Sequence, residues 1–463
     1  MTTTMNKEFR DPVHGFIKVD PDEMRVIDTR AFQRLRNIRQ LATTFLVYPG
    51  ANHTRFEHSI GVMHLSGLIF DELVGKGLEQ YIPKGKDQNF YRKALRLASL
   101  IHDLGHPPFS HAGEEGDLMP IMKKVAAKTK KRANHEHYSV CIALTSEIRD
   151  RVDNGLLKTA INIAFKPEVL EETLLEMDLP VGEWMDADTE KTAILSEILT
   201  GELGSDRMDY LLRDSVYTGV KYGIFDLARL VNTLRIAPKE KQFELQSDKA
   251  LGVELGGLHV AESLVICRYH MFIQVYYHKT RRILDYHLER LMKEVIGQFP
   301  PLARSSDPYL NLDDNRMCER FRDFRTHPHY QGLFDRRHFK MIKERGLIDL
   351  EKPGEFEEAL RDIKNDLKNE WDFDVLQKEG KAWLDVIDTR GETSGIQKYP
   401  KDTMKFLLYD EAERNPDKQW KYPASCSLLA KHSKIFNIAM IRAYVDRGLW
   451  EKGINEKTKE VLT

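Results

Sequence analysis

Ile101-His102-Asp103-Leu104-Gly105-His106 sets an imidazole beside a carboxylate at the end of a run, Ala94 to Leu104, that is apolar nearly all round. Such a run reads as a buried central helix. A His-Asp pair inside one is costly unless it is paired or holds a metal ion. Two more residues complete a candidate site: His58 shares a helical face with Val62, Leu65 and Ile69, and Asp206 opens a helix behind Ser205. Together His58, His102, Asp103 and Asp206 offer two imidazoles and two carboxylates. That donor set suits a divalent ion (Mn, Fe, Co, Ni, Zn or Mg) without selecting among them. Four ligands on an octahedral ion leave room for water and a phosphate oxygen, which is what a hydrolytic metal needs. Taken singly, each histidine reads as a hydrogen-bonded core residue and each aspartate as a cap or ion-pair partner. The joint pattern on buried faces is what points to a metal.

His106, His111, Glu114 and His135 follow closely. A histidine can deliver a proton and a carboxylate can orient it. His135 reads equally as a solvated helix start, because it trails the basic run from Lys123 to Arg132. Arg55, Arg207, Arg268 and Lys279 are candidate partners for a polyanion. Arg268, Phe272, Tyr276 and Lys279 recur at steps of four, four and three, and Asp206, Tyr210 and Asp214 at steps of four, so each set shares a helical face.

The elements carrying these residues are expected to be helical from about Asp28 to Gln298. Phe32, Leu35, Ile38 and Leu41 recur at three-residue steps after a cap at Asp28 or Thr29, and Pro107 and Pro108 end the 94–104 run. Thr233 to Ser247 alternates around a polar centre, the pattern of a β-hairpin. One long helix is expected from about Gly257 to Gln298. Beyond Pro300 the chain is more charged and less periodic, with a last helix from Leu428 to Asp446. The expected fold is mainly α: a helical core over residues 1–300 with a short β-hairpin, and a smaller C-terminal α+β lobe over 301–463, packed on the core and serving oligomerisation.

The chain has 463 residues, enough for a large core. Its net charge of -2 gives no global attraction for nucleic acid or membrane. Met122 to Arg132, with five Lys and one Arg, is the one basic cluster that would serve a nucleic acid, and it reads as a solvated face. Four scattered cysteines, Cys141, Cys267, Cys318 and Cys426, form no CxxC pair, so neither a disulfide framework nor a cysteine zinc site is expected. No apolar run reaches the ~18 residues of a membrane span, and a cytoplasmic setting is expected.

In order and spacing, Phe9-Arg10-Asp11-Pro12-Val13-His14-Gly15, Arg55-Phe56-Glu57-His58-Ser59, the stretch from His102 to His111, Asp206-Arg207-Met208-Asp209-Tyr210 and Tyr276-Tyr277-His278-Lys279 resemble the HD-domain deoxynucleoside triphosphate triphosphohydrolases. The resemblance covers about residues 8 to 290 and is loose beyond; no sterile-alpha-motif segment of the vertebrate kind is expected ahead of it. It implies metal ligands at the same four residues chosen above. It also implies that His111 acts beside the α-phosphate with Glu114 in support, while His106 and His135 contact phosphate or support the site. Gln40 and Asp214 would hold the 3′-hydroxyl, Leu41 would pack on the nucleoside, Tyr210 would line the sugar site and Tyr276 would crowd the 2′ position. The products would be a deoxynucleoside and tripolyphosphate.

Asp28, Gln33 and Arg36, with Lys279 and Arg229 as lesser contributors, match a guanine-activator site for GTP or dGTP at a subunit interface, which implies a homotetramer. The chain departs from vertebrate members at Glu114 (Asp there), Arg207 (Lys), Arg10 (Asn) and Tyr277 (Gln), the last leaving base preference open. Another HD phosphohydrolase (nucleotidase, phosphodiesterase or nuclease) or a non-catalytic nucleotide sensor would fit the same metal ligands.

Overall fold

The computed structural model describes residues 7–82, 87–125, 131–186, 193–237, 251–349, 354–388, 407–415, 418–421 and 438–453. The fold is mainly α, and two helices form its centre. Arg55–Val74 starts where Glu57 accepts the Thr54 backbone N–H at 3.0 Å, and it buries His58, Val62, Leu65 and Ile69. Gln88–Ile101 starts at an Asp87 cap and is buried from Ala94 to its end. The Ser205–Thr218 helix crosses the first of these at Gly61, where a Cβ would lie 2.0 Å from Asp209 Oδ1 and 2.4 Å from Arg213 Nη2. Only glycine admits that approach.

Several helices end earlier than expected. The central helix stops at Ile101, so His102 is its C-cap and Asp103 lies in the following turn rather than inside the helix. Phe32, Leu35, Ile38 and Leu41 are all buried, but on a short Arg30–Gln33 helix, a 3₁₀ turn over Arg34–Asn37 and the loop beyond. Three-residue steps are the 3₁₀ period, not the α period. Thr29 is the cap, accepting from Phe32 N. The long helix expected from Gly257 is two: Leu258–Met271 runs into a π-helical turn, Phe272–Tyr276, and Lys279–Ile296 starts afresh. The wider turn breaks the expected common face, leaving Tyr276 buried and Lys279 exposed.

Strands β1 (Lys7–Asp11) and β2 (Gly15–Val19) form an antiparallel hairpin. Strand β3 (Leu234–Ile236) pairs antiparallel with β4 (Leu251–Glu254), so the second arm of the expected hairpin falls later than Ser247; residues 238–250 lie outside the described residues. The pair continues into a four-stranded sheet with β7 (Leu407–Tyr409) and β8 (Trp420–Lys421). A second sheet, ordered β5-β9-β6, joins β5 (Lys340–Asp349), β6 (Ala382–Asp388) and β9 (Ile438–Val445). Strand β9 replaces the end of the helix expected from Leu428. It is the central strand, buried on both faces, so its apolar run carries no alternation that would distinguish strand from helix.

Residues beyond the 300/301 boundary, from Leu302 to Leu333, join the main core. The β5-β9-β6 sheet and the Glu355–Trp371 helix enclose a separate small core around Ile363, Leu367, Ile441 and Val445. Buried charge fastens this lobe to the rest. Arg282, on the Lys279–Ile296 helix, reaches Asp385 of β6 at 2.8 Å and Glu115 at 3.3 Å. Arg442 of β9 donates to the Tyr277 carbonyl. Among the described residues no helix is long and apolar enough to cross a membrane.

Candidate metal centre and adjoining pocket

Three helix ends meet at one point. His58 lies in the first turn of Arg55–Val74, His102 at the C-cap of Gln88–Ile101, and Asp206 in the first turn of Ser205–Thr218. One ligand atom from each lies within 4.8 Å of the other two. His58 Nε2 is 3.1 Å from Asp206 Oδ1, and Asp103 faces both rings, at 3.5 Å from His58 Nε2 and 3.4 Å from His102 Nε2. Each imidazole has its other nitrogen engaged: His102 Nδ1 with the Ser99 carbonyl at 2.7 Å, His58 Nδ1 with Asp209 Oδ2 at 2.8 Å. Such partners fix the ring and present Nε2 as the ligand.

His102 Nε2 is buried with no hydrogen-bond partner, which an approaching cation would explain. Burial pushes His58 down, yet Asp206 and Asp209 hold its pKa up to about 10. The carboxylates around the ring favour positive charge at this point, which a metal cation would supply in place of the proton on Nε2. The donor set fits a divalent metal, whose identity it does not select.

Behind Gly105, where a Cβ would lie 2.2 Å from the His135 carbonyl, the chain turns into a second cluster. Phe109 and Ser110 both have positive φ, 63° and 54°. Such strain, of about 1–3 kcal/mol per residue, persists only where surroundings enforce it. Here Asp314 accepts Phe109 N at 2.7 Å, and Ser110 Oγ donates to the Arg39 carbonyl at 2.6 Å while accepting from Arg55 Nε at 2.8 Å.

The turn delivers His111 and Glu114, and one ligand atom from each of His106, His111, Glu114 and His135 lies within 4.8 Å of the others. Glu114 holds His111 Nδ1 at 2.9 Å and His135 Nδ1 at 2.8 Å, and the His106 and His135 rings stack at 4.0 Å. Against its own burial, Glu114 is kept well below the usual carboxylate range by His135 and His111. Burial lowers His135, but Glu114 lifts it to about 9; at His111 burial wins and the pKa falls. At neutral pH the proton therefore rests on His135 and His111 is neutral.

A cavity opens on His111 and Arg55, and it is lined further by Gln40, Leu41, Tyr210, Asp214 and Tyr276. Arg55 joins it to the metal cluster by donating to Asp103. At the other end Tyr276 donates to Asp214 Oδ2 at 2.5 Å, and His53 Nε2 lies 2.8 Å from Asp214 Oδ1. Gln40 Oε1 is buried without a hydrogen bond, and Arg281, also on the cavity wall, has its Nε 3.4 Å from Asp285 Oδ2.

Arg207 and Arg268 do not line this cavity: both pair with Glu202. Lys279 does not line it either. Gln33 and Arg36 meet at the surface, Arg36 Nε donating to Gln33 Oε1 at 2.8 Å, next to exposed Asp28. Arg229 donates to the Gly256 carbonyl at 3.1 Å. In the described part of the basic run, Lys124 pairs with Asp178, Lys131 with Glu172 and Arg132 with Asp117.

Sequence reasoning missed several residues. Asp209 accepts from His58, from His14 at 2.7 Å and twice from Arg213 at 2.9 Å. Its three-residue offset from Asp206 was the available signal. His53, Glu115, Arg281 and Glu202 carried none.

Two family models match: the HD domain over residues 55–199 and the HD associated region over residues 225–375. The chain is 32% identical over 323 residues to an uncharacterized protein of Methanocaldococcus jannaschii, covering 68% of this chain and 57% of that one. It is 32% identical over 292 residues to the deoxynucleoside triphosphate triphosphohydrolase SAMHD1 of Gallus gallus, covering 61% and 44%. The chain thus spans about half the length of the curated relatives it matches. Among solved structures, a hypothetical protein from Aquifex aeolicus matches over 98% of this chain and all of that one, at 31% identity and a TM-score of 0.67. A phosphohydrolase from Bacteroides thetaiotaomicron, at 22% identity over 96% of this chain and all of that one, shares the fold with a TM-score of 0.64.

Proposed function

Because the chain belongs to the HD-domain family, we propose that it is a metal-dependent phosphohydrolase that cleaves deoxynucleoside triphosphates to deoxynucleoside and tripolyphosphate. The observation that carries this reading is one cavity bounded by the Arg55–Asp103 link to the metal cluster, by His111, and by the Asp214–Tyr276 pair. Similarity to a named triphosphohydrolase supports the same substrate class.

His58, His102, Asp103 and Asp206 would hold the metal, which when bound activates water and neutralises phosphate charge. Arg55 binds the phosphate chain from the cavity wall, and Arg207 and Arg268, which stand beside the cavity on Glu202, reach it by giving up that carboxylate. Water adds to the α-phosphorus, the bond to the 5′-oxygen breaks, and His111 hands that oxygen a proton. The charge of the bound phosphates raises the His111 pKa, and His135, joined to it through Glu114, is the nearby proton store. His106 stacks on His135 and keeps it in place. Gln40 and Asp214 take the 3′-hydroxyl, Leu41 and Tyr210 pack the nucleoside, and Tyr276 fills the space of a 2′-hydroxyl. Asp28, Gln33 and Arg36 form a surface site for GTP or dGTP between subunits of a homotetramer, with Lys279 and Arg229 nearby in the partner contacts, and the C-terminal lobe supports that assembly. The proposed setting is the cytoplasm, in keeping with the free thiols Cys141, Cys267 and Cys318.

Incubation with Mn²⁺ and each deoxynucleoside triphosphate, with and without GTP, should release tripolyphosphate. Pyrophosphate, orthophosphate or shortened oligonucleotides as products would point to another HD phosphohydrolase, and tight nucleotide binding without turnover to a sensor. Glu114→Gln supplies a second check. Removing the carboxylate lowers the proton affinity of both His135 and His111. The alkaline limb of the kcat–pH profile should move to lower pH, and kcat at pH 7.5 should fall by about 100-fold. A limb that stays in place contradicts the assigned roles.

A further inference from the structure

Arg207 and Arg268, the guanidiniums assigned above to the phosphate chain, are bridged by a single carboxylate. Glu202 Oε2 pairs with Arg207 Nη1, and its other oxygen, Oε1, lies 3.3 Å from Arg268 Nη1. Glu202 comes from the turn between the Ala193–Thr200 and Ser205–Thr218 helices, four residues ahead of Asp206. Its side chain is 9% exposed and that of Arg268 8%, so these are not the weak, water-screened pairs of an open surface. The group stands beside the cavity: Arg268 lies over the Phe272 ring at 5.5 Å, and Phe272 and Tyr210 are both cavity walls.

Each carboxylate oxygen takes one arginine, as two neighbouring phosphate oxygens would. We propose that Glu202 is a specificity-determining residue, an internal anion that holds the slot between Arg207 and Arg268 and yields it only to a ligand whose phosphate chain engages both. This rests on the reading of those arginines as phosphate-binding. A ligand that reaches one arginine exchanges one ion pair for another and gains nothing there. A longer polyphosphate recovers both pairs and adds contacts at Arg55 and the metal cluster. Rejection of small anions is thus built in as a competitor rather than left to weak attraction.

Binding of inorganic tripolyphosphate and orthophosphate to the full chain with Mn²⁺, measured by calorimetry, tests this without relying on turnover. Glu202→Gln keeps the shape and removes the charge. It should tighten tripolyphosphate about tenfold, the effect of freeing one charge-assisted pair. It should also let orthophosphate gain from Arg268: Glu202→Gln should bind orthophosphate more tightly than both the wild type and the Glu202→Gln/Arg268→Gln double variant. Glu202→Ala should change affinity in the same direction. Unchanged or weaker tripolyphosphate binding in both Glu202 variants would show that Glu202 merely holds the arginines in place, and would overturn the inference while leaving the proposed reaction standing. If Arg268→Gln leaves tripolyphosphate binding unaltered in every background, the phosphate role of Arg268 fails, and the inference fails with it.

Discussion

An Asp206→Ala chain is expected to lose its metal and at least about 10³-fold in turnover, since metal-assisted hydrolysis draws several kcal/mol from the ion and each 1.36 kcal/mol is a factor of ten. The fold should survive. Asp206 sits in the first turn of its helix with 26% of its side chain exposed, and its partners are His58 and His102. Removing it relieves carboxylate crowding against Asp103 and opens no apolar cavity. Metal content by elemental analysis, thermal melting and turnover on one preparation check the prediction together. A variant that keeps both its metal and its turnover would remove Asp206 from the ligand set.

The second large effect concerns a residue outside the coordination sphere. Asp209 is fully buried and holds Arg213 through two bonds, His58 through Nδ1 and His14 through Nε2. Asp209→Ala leaves Arg213 with Asp11 alone at 2.7 Å. Breaking a buried ion pair this way costs about 3–5 kcal/mol. Asp209→Asn keeps the volume but weakens the grip on His58, and metal affinity should fall about 10- to 100-fold. Despite its burial, Arg213, His14 and His58 keep Asp209 well below the ordinary aspartate value. A depressed carboxylate contributes stability that is complete above that value and is lost as pH falls through the folded pKa. The deficit of Asp209→Ala in urea unfolding should accordingly be largest at neutral pH and shrink in acid. A deficit independent of pH would mean that packing, not charge, is what Asp209 supplies.

The metal cluster was legible because its chemistry conflicts with its setting. A histidine and an aspartate closing an apolar run, with His58 on an apolar face, need a reason that periodicity alone does not supply, and the structure brings His58, His102 and Asp206 together. Helix type was legible where apolar residues recur at helical spacing, as from Arg55 to Val74. What failed were features set by tertiary packing. The π-helical turn at Phe272–Tyr276 is marked by no glycine or proline, so the residues from Gly257 onward read as one helix. Strand β9 is enclosed on both faces and loses the alternation that betrays strands. Glu202 and Asp209 were passed over because an acidic residue in a helical segment is ordinarily solvated; packing at Gly61 encloses the Asp209–Arg213 pair of the Ser205–Thr218 helix, and the turn before Ser205 puts Glu202 between two arginines.

Arg282 answers to two acids of different origin, one in the turn that carries His111 and Glu114, the other in the last sheet of the chain. Its neighbour Glu115 is already strained as a carboxylate, burial raising its pKa to about 7 with Arg282 as the counterweight. A protease clip that releases β6 would strand a buried guanidinium beside Glu115 and unsettle the turn carrying His111 and Glu114 from behind. The smallest fragment worth testing for the proposed hydrolysis therefore runs past the matched family regions, to include the sheet that contributes Asp385.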